Sequence, residues 1–148
     1  GDAKTRYITR RVTLAEGQDA EDIKVYYDGY VPQGSAIQPY YKVLHAEDSD
    51  LFEEAKWIPM TQTTANTVAS SSENRQDFRE FEWDVPSYGD FNNGLVANSN
   101  PASILQYRNG ENAMFSGFKY YAIKLVMMGT DTQNVPRVRN LRAIALQK

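Results

Sequence analysis

Apolar and polar side chains alternate with a period of two along most of this chain, which is the pattern of half-buried β-strands. Residues 7–14 set Ile8, Val12 and Leu14 against Tyr7, Thr9, Arg11 and Thr13, with Arg10 alone breaking the apolar side. Residues 23–31 repeat the pattern. Ile23, Val25, Tyr27 and Val31 alternate there with Lys24, Tyr26, Asp28 and Tyr30. After a turn at Pro32, Gly34 and Ser35, residues 37–44 direct Ile37, Tyr41 and Val43 inward. Pro39 has no N–H to give a ladder, so it predicts a sheet edge or a bulge in that strand.

An acidic stretch from His45 to Ala55 leaves room for one helical turn around Leu51 and Phe52, and residues 57–60 form a short apolar strand. The Thr-, Ser- and Asn-rich run 61–73 reads as a weak strand and an exposed loop. Residues 78–85 place Arg79, Phe81 and Trp83 on one face and Phe78, Glu80 and Glu82 on the other. Residues 86–102 carry Gly89, Asn92-Asn93-Gly94 and Asn98-Ser99-Asn100-Pro101, a long irregular connection of the kind that often serves function. Residues 103–107 and 113–115 flank Asn109-Gly110, a hairpin signal. The nearly continuous apolar run 118–128 predicts a central strand covered on both faces, with Lys119 and Lys124 at its ends or rim. The last strand, 137–146, has two possible inner sets: Val138, Ile144 and Leu146, or Leu141, Ala143 and Ala145. About eight strands and no convincing amphipathic helix predict an all-β chain. Its expected fold is an antiparallel β-sandwich, jelly-roll-like, with residues 1–148 as one domain.

Composition narrows the chemistry. The 148 residues are 41% hydrophobic and 24% charged, enough for a core without metal or disulfide. A formal net charge of −3 argues against a nucleic-acid partner. No run of about 18 apolar residues is present to form a membrane-spanning helix, so no membrane insertion is expected. Cysteine is absent, which removes thiolate metal sites and thiol nucleophiles, and His45 is the lone histidine. The opening Gly1-Asp2-Ala3-Lys4 lacks an initiator methionine, and the expectation is a domain excised from a longer protein.

Three sets of residues could carry chemistry. Glu80 and Glu82 share a strand face about 7 Å apart. That spacing suits an inverting glycosidase, which needs its carboxyls about 6.5–9.5 Å apart, but alternating charge on a strand more often marks a solvated face. The clusters Glu16-Asp19-Glu21-Asp22 and Glu47-Asp48-Asp50 could bind calcium, yet neither follows an EF-hand loop, and solvated loop charge is the better reading. No cofactor is expected. Aromatic residues are the remaining resource. Tyr26 and Tyr30 lie opposite the inward set of their strand and are expected to be exposed, while Tyr88, Phe91 and Tyr107 lie in or beside the long loop. These five are the candidate contacts, either for an interface or for sugar stacking.

The segment Thr5-Arg6-Tyr7-Ile8-Thr9-Arg10-Arg11-Val12-Thr13-Leu14 resembles a segment of large virion structural proteins of contractile-tailed bacteriophages, marine ones included. So do Ile23-Lys24-Val25-Tyr26 with Tyr40-Tyr41-Lys42-Val43-Leu44, and Phe118 to Val126 followed by Val135-Pro136-Arg137-Val138 to Leu146. The resemblance rests on strand patterns and carries no catalytic residue. It implies a non-catalytic structural and interaction module of a phage tail, baseplate or fibre, made in the bacterial host cytoplasm and residing in the virion. Its partners would be other virion subunits or copies of itself. A carbohydrate-binding module that docks on host-surface glycan is the alternative, and a glycan hydrolase ranks third.

Overall fold

The alternating pattern becomes eleven strands in the computed structural model, which describes residues 3–64, 68–85, 105–129 and 135–147. They are β1 (Ala3–Ile8), β2 (Val12–Thr13), β3 (Asp22–Tyr30), β4 (Ala36–Leu44), β5 (Ile58–Pro59) and β6 (Thr61–Gln62). There follow β7 (Arg79–Asp84), β8 (Gln106–Arg108), β9 (Met114–Ser116), β10 (Tyr120–Gly129) and β11 (Arg137–Leu146). One 3-10 turn, Phe52–Glu54, stands where the sequence predicts a helical turn. Several strands are only two or three residues long, which raises the count above the expected eight.

Two antiparallel sheets form a β-sandwich. The first has the order β1-β10-β4-β5, with β2 also on β10, and the second has the order β11-β3-β7-β6. The chain crosses between sheets from β2 to β3, from β3 to β4, from β5 to β6 and from β10 to β11. β8 and β9 form a separate hairpin. Ile23, Val25, Tyr27, Tyr41, Val43, Trp83, Ile123 and Leu125 meet between the sheets as one core. Their alternation in sequence is what lets each strand give one face to that core. As expected, β10 is central in its sheet, but its outward face is covered only in part: Tyr120 and Lys124 are half-buried and Met128 is exposed. Its outward Ala122 is buried with Leu44 and Phe52 in a smaller cluster.

Four local expectations need correction. The 7–14 strand is split, because the pairing with β10 slips by one residue between Ile8↔Lys124 and Val12↔Tyr121. The slip puts Ile8 and Val12 on opposite faces of an edge strand. Both are exposed, and only Leu14 packs on the core. The second correction concerns Pro39. β4 runs between β10 and β5 with an uninterrupted register, so Pro39 marks neither an edge nor a bulge. Met60 N–H donates to the Pro39 carbonyl at 3.0 Å. The donor that proline lacks is replaced by the Gln38 side chain, whose Nε2 donates to the Met60 carbonyl at 3.0 Å. Third, Lys124 lies mid-strand on the outer face of the first sheet, away from the rim. Fourth, the 57–60 strand is reduced to β5, Ile58–Pro59, with Trp57 and Met60 outside it.

β11 resolves its two competing phases by using both. A bulge between Arg139 and Arg142 inserts an extra residue, with Asn140 at φ 56°. Val138 therefore packs on the core before the bulge, and Leu141, Ala143 and Ala145 do so after it.

Candidate functional site

Of the five aromatic candidates, Tyr88 and Phe91 lie outside the described residues, as does most of the 86–102 connection. Tyr30 is buried at 2% exposure, contrary to expectation. The parallel bridge between Pro32 and Ser70 draws a distant segment over it, and its hydroxyl donates to the Ser71 carbonyl at 3.0 Å. Tyr107 is also closed off, at 7% exposure. Its hydroxyl accepts from His45 N–H at 2.7 Å and donates to Asp48 Oδ2 at 2.8 Å. Tyr26 is half-buried on the outer face of the second sheet, with the Arg142 guanidinium 5.5 Å from its ring centre. The three described candidates, Tyr26, Tyr30 and Tyr107, thus do not form one exposed patch.

Tyr107 belongs instead to a tie between two loops. Buried Asp48 also accepts from Asn109 Nδ2 at 3.0 Å and from Asp50 N–H at 2.9 Å, and Asp50 Oδ2 accepts from Gly110 N–H at 2.9 Å. The ring of His45 stacks on Phe115, 5.2 Å away, which in turn stacks on Tyr107. A cleft of about 260 Å³ opens beside this tie, lined by Asp48, Asp50, Glu54, Lys56 and Arg108 among others. Asp48 and Asp50 of the 47–50 cluster are therefore used to anchor the β8–β9 hairpin. Among the described residues no group of three or more acidic or histidine side chains is placed to hold a metal ion.

The outer face of the second sheet is charged and paired. Lys24 Nζ lies 3.4 Å from Glu82 Oε1 and 3.5 Å from Asp84 Oδ1. Arg139 Nε lies 3.8 Å from Asp28 Oδ2, which also accepts from Asn140 Nδ2 at 2.8 Å. Burial pushes the Asp84 carboxyl above its usual range while Lys24 acts in the opposite direction. Glu82 and Asp84 are thus two legs of one ion-pair network on an open sheet face.

The first sheet presents a different outer face. Its register brings Lys124 beside Tyr40 and Ala122 beside Lys42, with Ile8 and Arg6 of β1 on the far side of β10. Trp57, just before β5, reaches across this surface. Lys42 Nζ stands 4.5 Å from the Phe52 ring centre and 4.9 Å from that of Trp57. Lys124 Nζ stands 4.6 Å from Tyr40 and 4.9 Å from Trp57. The Arg11 guanidinium lies 5.4 Å from Tyr120. Each contact is a cation held over a ring face. Burial holds the Lys42 and Lys124 ammoniums below the usual lysine range, and for Lys124 the neighbouring Arg6, Lys4 and Lys42 add to the effect. The sequence carries a signal for this surface in the alternation Tyr40-x-Lys42. It is missed because Trp57 reads as core and Lys124 as rim.

A third feature is a groove of about 490 Å³ at the open side of the sandwich, where the edge strands β1 and β11 face each other. Tyr7, Leu125, Met127, Val138 and Leu141 line it. Tyr7 and Ile8 are each 52% exposed along the β1 edge. No family model matches the chain, and neither a curated protein nor a solved structure does.

Proposed function

We propose that this β-sandwich is a non-catalytic structural and interaction module of a phage virion, in a tail, baseplate or fibre. It would dock on neighbouring subunits or on copies of itself through the open side of the sandwich. The observation that carries the reading is the exposed β1 edge. Among the described residues the outer edge of β1 has no paired strand. Flanked by exposed Tyr7 and Ile8, beside a largely apolar groove that reaches Leu125 and Met127, it offers both backbone hydrogen bonds and burial to a partner. The setting rests on the resemblance of its strand patterns to those of virion proteins of contractile-tailed phages.

The test is a photo-crosslinking residue placed at Tyr7 in the chain as assembled in purified particles. A crosslink to a virion subunit or a second copy is expected. Absence of the chain from particles, or particles in which position 7 crosslinks to nothing, would sink the reading.

The second reading is a carbohydrate-binding module for host-surface glycan. It is favoured by one specific observation: Trp57, Tyr40 and Tyr120 are ranged with cations across the open outer face of the first sheet.

A further inference from the structure

We infer that the outer face of the first sheet is a binding site for an acidic glycan. Carboxylate or sulfate groups of that glycan would pair with Lys42, Lys124 and Arg6, and its sugar rings would lie along Trp57 and Tyr40. The inference rests on the glycan-binding reading and is independent of the assembly reading.

The geometry supplies the first reason. Lys42 is only 8% exposed, and its ammonium sits over two rings. Lys124 shares the same indole, each ammonium lying 4.9 Å from its centre. The two charges are therefore at most about 10 Å apart, comparable with the Debye length of about 8 Å at physiological salt, so they repel with limited screening. Arg6 and Lys4 add like charge from β1. Among the described residues neither Lys42 nor Lys124 makes an ion pair, whereas Lys24 and Arg139 on the opposite sheet are both paired with acids. Glu53 offsets part of the charge on Lys42. Desolvated like charges that are only partly compensated are costly alone and favourable once an anion is seated among them.

The composition of the face selects the class of anion. Lysine is depleted at the cores of protein–protein interfaces, so a lysine-centred face is a poor fit to a protein partner. A nucleic acid presents closely spaced phosphates to a chain of net charge −3, and Glu53 and Glu54 stand in the turn that packs Phe52 onto this face. An acidic polysaccharide carries apolar sugar faces between its charges, and these suit the interleaved Trp57 and Tyr40. Cation–ring contacts also hold the ammoniums in place before binding, which lowers the ordering cost.

The experiment is isothermal titration of the chain with polygalacturonate, neutral dextran, poly-glutamate and a single-stranded DNA oligonucleotide. Wild type is compared with Lys124→Gln, Arg6→Gln and the control Arg75→Gln, an exposed charge away from the face, and circular dichroism checks that each variant folds. Polygalacturonate should bind wild type and Arg75→Gln alike, with affinity reduced about tenfold or more in Lys124→Gln and Arg6→Gln. Equal loss in Arg75→Gln would overturn the site, since it would mean general charge attraction. Tighter binding of poly-glutamate or DNA than of polygalacturonate would overturn the ligand class. Binding of neutral dextran alone, insensitive to the two face variants, would overturn the acidic site and keep the glycan reading. No binding to either polysaccharide would sink both.

Discussion

At the scale of single residues, the Gln38–Pro39–Met60 arrangement shows how a central strand tolerates proline. Proline removes one ladder donor and leaves a carbonyl without a partner, and a buried carbonyl in that state costs about 1–3 kcal/mol. The side-chain amide of Gln38 meets the orphaned Met60 carbonyl and, at 2.9 Å, the Pro39 carbonyl as well. Gln38→Ala is therefore expected to destabilise the chain by about 1–2 kcal/mol in urea unfolding. Pro39→Ala restores a backbone N–H aimed at the same carbonyl. In the double variant it should recover much of that loss, so the two changes are non-additive. Additive losses in the four-way cycle would show that Gln38 is not the substitute donor. Local pattern could place Pro39 in a strand. It could not show a neighbouring side chain taking over its hydrogen bond, because that depends on where residue 60 folds back.

At the scale of elements, the strands whose alternation runs unbroken were legible, and those with an irregular register were not. β3 and β4 present the inward residues that the period of two selects, since each holds one continuous register against a long neighbour, β3 against β7 and β4 against β10. β1 and β11 defeat the same reasoning because each gains or loses a residue against its partner, which inverts the faces midway. The bulge in β11 is held by Asn140 in the left-handed region, with its side chain bonded to Asp28. A β-branched residue is strained there, and Asn140→Val should cost about 2 kcal/mol in thermal or chemical unfolding. Asn140→Gly keeps the backbone conformation and loses only the side-chain bond, so a cost near 1 kcal/mol is expected. Equal losses in the two variants would show that φ at this position is not what the bulge requires. Two of the candidate contacts, Tyr30 and Tyr107, are buried for a related reason. They are covered by segments about forty to sixty residues away, at Ser71 and Asp48. Nothing in the residues around them signals that covering, whereas the cation-lined face is assembled from β1, β4, β10 and Trp57 and exists only once their register is set.

At the scale of the whole molecule, both outer faces hold cations over rings, but among the described residues Lys24 and Arg139 of the second sheet are also paired with acids while Lys42 and Lys124 of the first are not, and alkaline titration isolates the contribution of those two lysines. Lys42 and Lys124 have folded values below the ordinary 10.5, chiefly through burial. Between the depressed value and 10.5 the folded chain binds fewer protons at these groups than the unfolded chain. Their contribution to stability therefore rises as pH climbs through that window. Tyr27, Tyr41, Tyr107 and Tyr121 act in the opposite sense. Burial raises their values above 10.0, so the unfolded chain releases those protons first and stability falls as pH rises past 10. The measured curve of wild type is the sum of both, and comparison with a Lys42→Met, Lys124→Gln double variant cancels the tyrosine part. At neutral pH the double variant should be at least as stable as wild type, because methionine keeps the buried stem of Lys42 and removes its desolvated charge. As pH approaches 10.5 the difference should shrink, since wild type sheds the same charges by deprotonation. Urea unfolding followed from neutral to alkaline pH reads this directly. A difference that stays constant or widens with pH would mean that the two ammoniums are not strained by burial and mutual repulsion, and the face would lose its physical basis as a waiting anion site.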